Sequence, residues 1–143
     1  MLASSVFMLA AAIAGAAPAT SPAVDDDNAI RATALDYIQG FYTADAGRME
    51  RALHPELVKR IFRKDGKTLR LDTMSALTLI NRTRAGNGLA DKERRADVQI
   101  LDRFQNSAVV RVDATRWVDY LQLAKVDSQW RIVNVLWEMR DGQ

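Results

Sequence analysis

From Val98 to Trp137 apolar and polar side chains exchange places almost residue by residue, and this period of two constrains the fold more than any other feature. Successive side chains of an extended strand point to opposite faces, so such a run buries its apolar set as a sheet with one face covered. Val98, Ile100 and Phe104 share one parity, and Asp102 interrupts the apolar set. In SAVVRVDATRW, residues 107–117, Val110, Val112 and Ala114 fall on one face while Arg111, Asp113 and Thr115 fall on the other. Two more strands follow in WVDYLQLAKVDSQWRIVNVLWE, residues 117–138, which holds all three tryptophans and one of the three tyrosines.

The register of that last hairpin decides what its faces carry. A two-residue loop at Asp127-Ser128 puts Leu121 and Leu123 on a face with Trp130 and Ile132, and Tyr120 and Gln122 with Val133 and Val135. A three-residue loop that includes Gln129 instead joins Leu121 and Leu123 to Val133, Val135 and Trp137, with Asp119 at the end. Gln122 then lies opposite Asn134, near Tyr120. Both registers leave two substantially apolar faces, which implies helices on one and a partner chain on the other.

The first half of the chain has helical spacing. Asp25, Asp26 and Asp27 suit a helix N-terminus, with Asp27 or Asn28 as cap. Ile30, Ala34, Tyr37, Ile38 and Phe41 then recur three and four apart, a buried stripe that Gly40 weakens locally. A second, short helix is predicted from near Asp45 with Met49, Ala52 and Leu53, ended by Pro55, which disfavours helical geometry at His54. Leu57–Arg63 and Leu69–Leu71 flank Lys64-Asp65-Gly66-Lys67, a hairpin signal because glycine accepts positive φ. Thr73 is expected to cap a third helix over Met74–Ala85, with Leu77, Ile80 and Arg84 at helical spacing and Gly86 closing it. Asn87-Gly88 marks a turn, and residues 87–96 form a polar connector. Helices followed by a three- or four-strand meander predict the α+β class: an antiparallel sheet covered on one face by helices. A chain of 143 residues has room for one such domain, over residues 20–143.

Residues 1–19, MLASSVFMLAAAIAGAAPA, have a different character. They carry no charged side chain, an apolar run from Val6 to Ala14, and two small-residue sites at Ala14-Gly15-Ala16 and Ala17-Pro18-Ala19. The layout is that of a secretory signal peptide cut after Ala16 or Ala19, although no Lys or Arg precedes the apolar run. The stretch is too short for a stable membrane span. A periplasmic or secreted location is therefore expected.

The chemistry available is narrow. Cysteine is absent, which excludes disulfides, thiolate catalysis and cysteine metal sites. His54 is the single histidine, no Gly-x-Ser-x-Gly turn accompanies it, and no carboxylates show calcium-loop or metalloprotease spacing; neither a metal nor a cofactor is expected. A net charge of +2 is too small to argue for nucleic acid. The basic hairpin of Lys59, Arg60, Arg63, Lys64, Lys67 and Arg70 has only Phe62 for stacking, so it reads as a solvated edge guarded by charge. Asp113, Asp119 and Glu138 stand on neighbouring strands, where paired carboxylates do acid–base work only if burial raises one pKa.

The hairpin also carries a resemblance. Trp117, Asp119-Tyr120, Leu123-x-Lys125, the Asp127-Ser128 turn and Trp130-x-Ile132-x-Asn134 resemble the C-terminal hairpin of the "putative lumazine-binding" family, within the nuclear transport factor 2-like (SnoaL-like) superfamily. Ser128 departs from the usual glycine. The aromatic first helix and His54-Pro55 followed by Lys59-Arg60 are similar too, so the likeness spans about residues 25–140. It implies a cone: a curved antiparallel sheet wrapped around N-terminal helices, with a pocket between them and pairing of two chains through the open sheet face. The superfamily includes isomerases, dehydratases and cyclases as well as binding and scaffold proteins, so the fold does not choose among them.

Three functions follow as expectations. The first is an exported, homodimeric protein holding a small, partly apolar molecule in a pocket lined by Tyr37, Phe41, Leu77, Trp117, Asp119, Tyr120 and Trp137, with His54 near the mouth. The second is an isomerase- or dehydratase-type enzyme in which Asp113, Asp119 or His54 works against Tyr37 or Tyr120. The third is a dimeric interaction module with a closed core.

Overall fold

The computed structural model describes residues 22–86 and 93–140; the expected leader over residues 1–19 and the Asn87-Gly88 turn lie outside them. Two helices open the described chain, α1 (Pro22–Thr43) and α2 (Ala46–Ala52). A hairpin follows, β1 (Leu53–Asp65) and β2 (Thr68–Ser75), then α3 (Ala76–Ala85). A four-strand meander completes it: β3 (Ala96–Phe104), β4 (Ser107–Ala114), β5 (Trp117–Val126) and β6 (Gln129–Met139). No helix among the described residues is long and apolar enough to cross a membrane.

The stripe on α1 buries Ile30, Ala34, Tyr37 and Ile38, while Phe41 is half-buried. The helix starts at Pro22, before the expected cap, and its acidic run serves the sheet instead. Asp26 accepts hydrogen bonds from Lys125 Nζ at 2.7 Å and Trp130 Nε1 at 3.0 Å, and Asp27 accepts from Arg103 Nε at 2.9 Å. The bonds from Lys125 and Trp130 hold the Asp26 carboxyl below the usual aspartate range. Asp45 caps α2, accepting the Arg48 N–H at 3.0 Å. A Cβ at Gly40 would stand 3.0 Å from Arg48 Cβ and 3.1 Å from the Met49 nitrogen, so the helix-weakening residue is the one that lets α1 and α2 touch.

The third helix differs from expectation in phase. Strand β2 runs through Met74 and Ser75, paired with Lys59 and Val58 of β1, and so delays the helix to Ala76 with Ser75 as cap. The buried stripe becomes Ala76, Leu79 and Thr83, and Leu77 turns outward, 67% exposed.

The six strands form one sheet in the order β2-β1-β6-β5-β4-β3. The meander is antiparallel throughout, but β1 joins β6 in parallel, a correction to the all-antiparallel expectation. Val110, Val112 and Ala114 of β4 are fully buried against the helices, as their parity requires. The last hairpin combines the two expected registers. Asp127 and Ser128 form a two-residue turn with φ of 48° and 63°, pairing Val126 with Gln129 and Leu123 with Ile132. A bulge at Val133 then shifts the pairing, so that Gln122 faces Asn134 and Asp119 faces Trp137. One face therefore collects Asp119, Leu121, Leu123, Trp130, Ile132, Val135 and Trp137, and the sheet bends around the helices at the bulge.

Candidate functional site

The covered face of the sheet does not close completely on the helices. Between α1, α3 and the ends of β1, β5 and β6 lies a cavity of about 410 Å³, within the usual range for small-molecule pockets. Its floor is buried: Tyr37 and Ile38 from α1, Met49 from α2, Lys59 from β1 and Leu79 from α3. Half-buried Phe41, Met74, Trp117, Trp137 and Met139 form the walls, and exposed Arg82, Ala85, Gly86 and Arg116 form the rim. Trp117 meets Phe41 edge-on, ring centres 5.7 Å apart, and Trp137 edge-on at 6.3 Å. Such edge-to-face contacts hold the aromatic wall in a defined shape.

One polar group interrupts this apolar surface. Lys59 is 5% exposed, and its Nζ donates to Tyr37 Oη at 2.5 Å and to Asp119 Oδ1 at 2.6 Å. The other carboxylate oxygen of Asp119 accepts the Trp117 indole N–H at 2.6 Å, so both oxygens are engaged. The ammonium also lies 4.6 Å from the centre of the Trp137 ring, within cation–π range. Burial lowers the Lys59 pKa from the usual lysine range, and the Asp119 charge opposes that shift. Burial, reinforced by the same carboxylate, pushes the Tyr37 phenol well above its usual range. An ammonium has three N–H donors and two are used here, which leaves one without a hydrogen-bond acceptor among the described residues. Trp137 Nε1 at the same wall is buried and likewise lacks an acceptor there. Among the described residues no cluster of three or more His, Asp or Glu side chains could hold a metal ion.

The profile of the family described as "Putative lumazine-binding" matches residues 25–138, which hold every cavity-lining residue except Met139 and nearly the whole fold. The chain belongs to that family. A nuclear transport factor 2-like protein of unknown function from Shewanella baltica OS155 superposes with a TM-score of 0.65 at 20% identity, over 86% of this chain and 100% of that one. Another from Methylobacillus flagellatus KT gives 0.65 at 22% identity, over 82% and 94% of the two chains. A third, described as having a cystatin-like fold, from Novosphingobium aromaticivorans, gives 0.56 at 14% identity over 85% and 86%. These likenesses establish the α+β fold with its curved sheet. No curated protein matches the chain.

Within this family fold the residues singled out from sequence separate into three groups. Tyr37, Phe41, Trp117 and Trp137 come together on the cavity. Asp119 lies behind it, fully buried, and acts on the cavity through Lys59, Trp117 and Tyr37. His54, Leu77 and Tyr120 lie off it. His54 is the second residue of β1, where its Nδ1 accepts the Glu56 N–H at 3.2 Å. Leu77 is turned away by the phase of α3. Tyr120 points to the outer face of the sheet, 41% exposed, with the Arg111 guanidinium 5.9 Å from its ring centre. Asp113 also faces outward and is held by Arg111 and Arg140, at 2.7 Å from each. None of the three acid–base candidates therefore lines the cavity.

Lys59 stands in the basic hairpin, where its charge argues for solvent, yet the structure buries it. Its parity with Leu57 and Ile61, both buried on the same strand, was the available signal. Arg82 and Arg116 carried no comparable signal, because their place at the rim depends on how α3 and the β4–β5 turn meet in space.

Proposed function

We propose that this chain is an exported protein that holds a small, partly apolar molecule between its helices and its curved sheet, and that it acts as a homodimer. The observation that carries the binding reading is the cavity itself: about 410 Å³ left open in an otherwise well-packed core, with aromatic walls and an under-satisfied lysine donor at the floor. Well-packed interiors keep few voids larger than a water molecule, so an opening of this size with an oriented polar group suits a ligand. Export rests on the uncharged, apolar residues 1–19 with their small-residue sites. Pairing through the sheet rests on its outer face, where Tyr120 and Leu136 lie opposite each other across β5 and β6 and are both exposed.

Native mass spectrometry of the protein purified from its own source tests the binding reading. A retained small molecule is expected, and it should be absent from Leu79→Trp, which fills the cavity floor. Protein that carries no added mass, and whose fold is no less stable when the floor is filled, would overturn it. The same spectra should show twice the chain mass for the intact assembly, falling to a single chain in Leu136→Glu. A polypeptide mass that begins after Ala16 or Ala19 is expected for the exported form.

A further inference from the structure

A smaller cavity of about 170 Å³ adjoins the first, and the two share Lys59, Met74, Arg82 and Trp137. We infer that the ligand is an organic carboxylate with an apolar ring or chain, its body in the larger cavity and its carboxylate at this shared wall. The inference rests on the pocket reading above and adds the chemical class of the ligand.

Charge balance carries the argument. Asp119 offsets Lys59 from behind, and Asp72, in the smaller cavity, is taken by Arg63 at 3.3 Å and Arg70 at 2.9 Å. The guanidinium groups of Arg82 and Arg116 line these cavities and have no ion pair or hydrogen bond with any described residue, so among the described residues nothing offsets the positive charge they bring. Donors are in excess as well. The third Lys59 proton lacks an acceptor among the described residues, and the Arg82 guanidinium adds a planar fork suited to two oxygens. A carboxylate is acceptor-only and matches that set; a cation meets repulsion, and a neutral alcohol brings one oxygen and a proton of its own. Size selects the body. A cavity of about 150 Å³ accommodates benzene, so the larger cavity has room for a two-ring or comparable body.

Isothermal titration calorimetry of the purified protein with three matched compounds tests this: 2-naphthoate, 2-naphthylmethanol and 2-naphthylmethylammonium. The acid should bind about tenfold tighter than the alcohol, the amine should bind weakest, and added sodium chloride should narrow the gap. Arg82→Gln, a change on an exposed helix face, should remove most of the acid's advantage over the alcohol. An alcohol that binds as tightly as the acid overturns the anion inference and leaves the pocket reading standing. An acid preference that Arg82→Gln does not diminish overturns the placement of the carboxylate at the shared wall. If none of the three binds, the inference falls, and the pocket reading is then decided by the retained-mass measurement.

Discussion

Asp113 and Asp119 stand on adjacent strands of the same meander, and each is held by two partners at 2.7 Å or less. Asp113 faces outward, with its side chain 16% exposed between two arginines that are themselves about one-third exposed. Its charge keeps part of its hydration, and Arg111 and Arg140 hold its carboxyl well below the usual aspartate range. Asp119 faces inward with no exposure, and its counter-ion is 6% exposed by side chain. There the desolvation of both ions opposes their attraction, and the burial-driven fall in the Lys59 pKa is its signature. Similar bond lengths thus describe two different energetic situations. Outside, the pair is a modest addition to stability. Inside, each charge is a liability that only the other makes tolerable.

The largest expected effect tests that mutual dependence. Asp119→Leu leaves a buried ammonium without its counter-charge and should cost about 3–5 kcal/mol in urea unfolding. The double change Lys59→Met with Asp119→Leu should recover most of that loss, because a buried ion pair replaced by apolar groups of similar volume is often neutral or better. A double variant as unstable as the single one would break the comparison. Next in size is Tyr37→Phe, which removes one of the two acceptors of the Lys59 ammonium and should cost about 1–3 kcal/mol by the same measurement. Asp113→Asn should cost about 1 kcal/mol or less, as expected for a partly hydrated network; a cost equal to that of Asp119→Leu would erase the distinction between the faces.

The smallest effect is visible only with pH. The folded-state pKa of Asp113 is depressed, so the unfolded chain takes up this proton first as pH falls. Its contribution is complete above the unfolded aspartate value of about 3.9 and is lost as pH falls toward the lower folded value. Asp26 acts with the same sign. Thermal unfolding of wild type should therefore decline in acid, and Asp113→Asn should decline less steeply over the same range.

What could be read in advance follows from how local each signal is. The burial of Val110, Val112 and Ala114 is a parity statement confined to one strand, and the α1 stripe is a spacing statement confined to one helix; both match the fold. The phase of α3 was not local, because it depends on how far β2 continues to pair with β1. The hairpin faces were not local either, because each register holds for only half its length. At the site, aromatic residues could be recognised by type. Lys59 could not, since its charge argues for solvent and only its neighbours' parity argues for burial. Tyr120 failed for the opposite reason: its type suits a pocket, but its parity sends it outward.

The bulge at Val133 bends the sheet without choosing which side chains face inward. With Val133 removed, Leu123 would still oppose Ile132, Gln122 would still oppose Asn134, and Asp119 would still oppose Trp137. Every side chain would keep its face, and only the extra bend would go. The roster of the wall and its curvature are thus encoded separately, the first by which residues stand on β6 and the second by how many. Chain length at one point of a strand is then a dial for the bend of the sheet that leaves the faces of its side chains untouched.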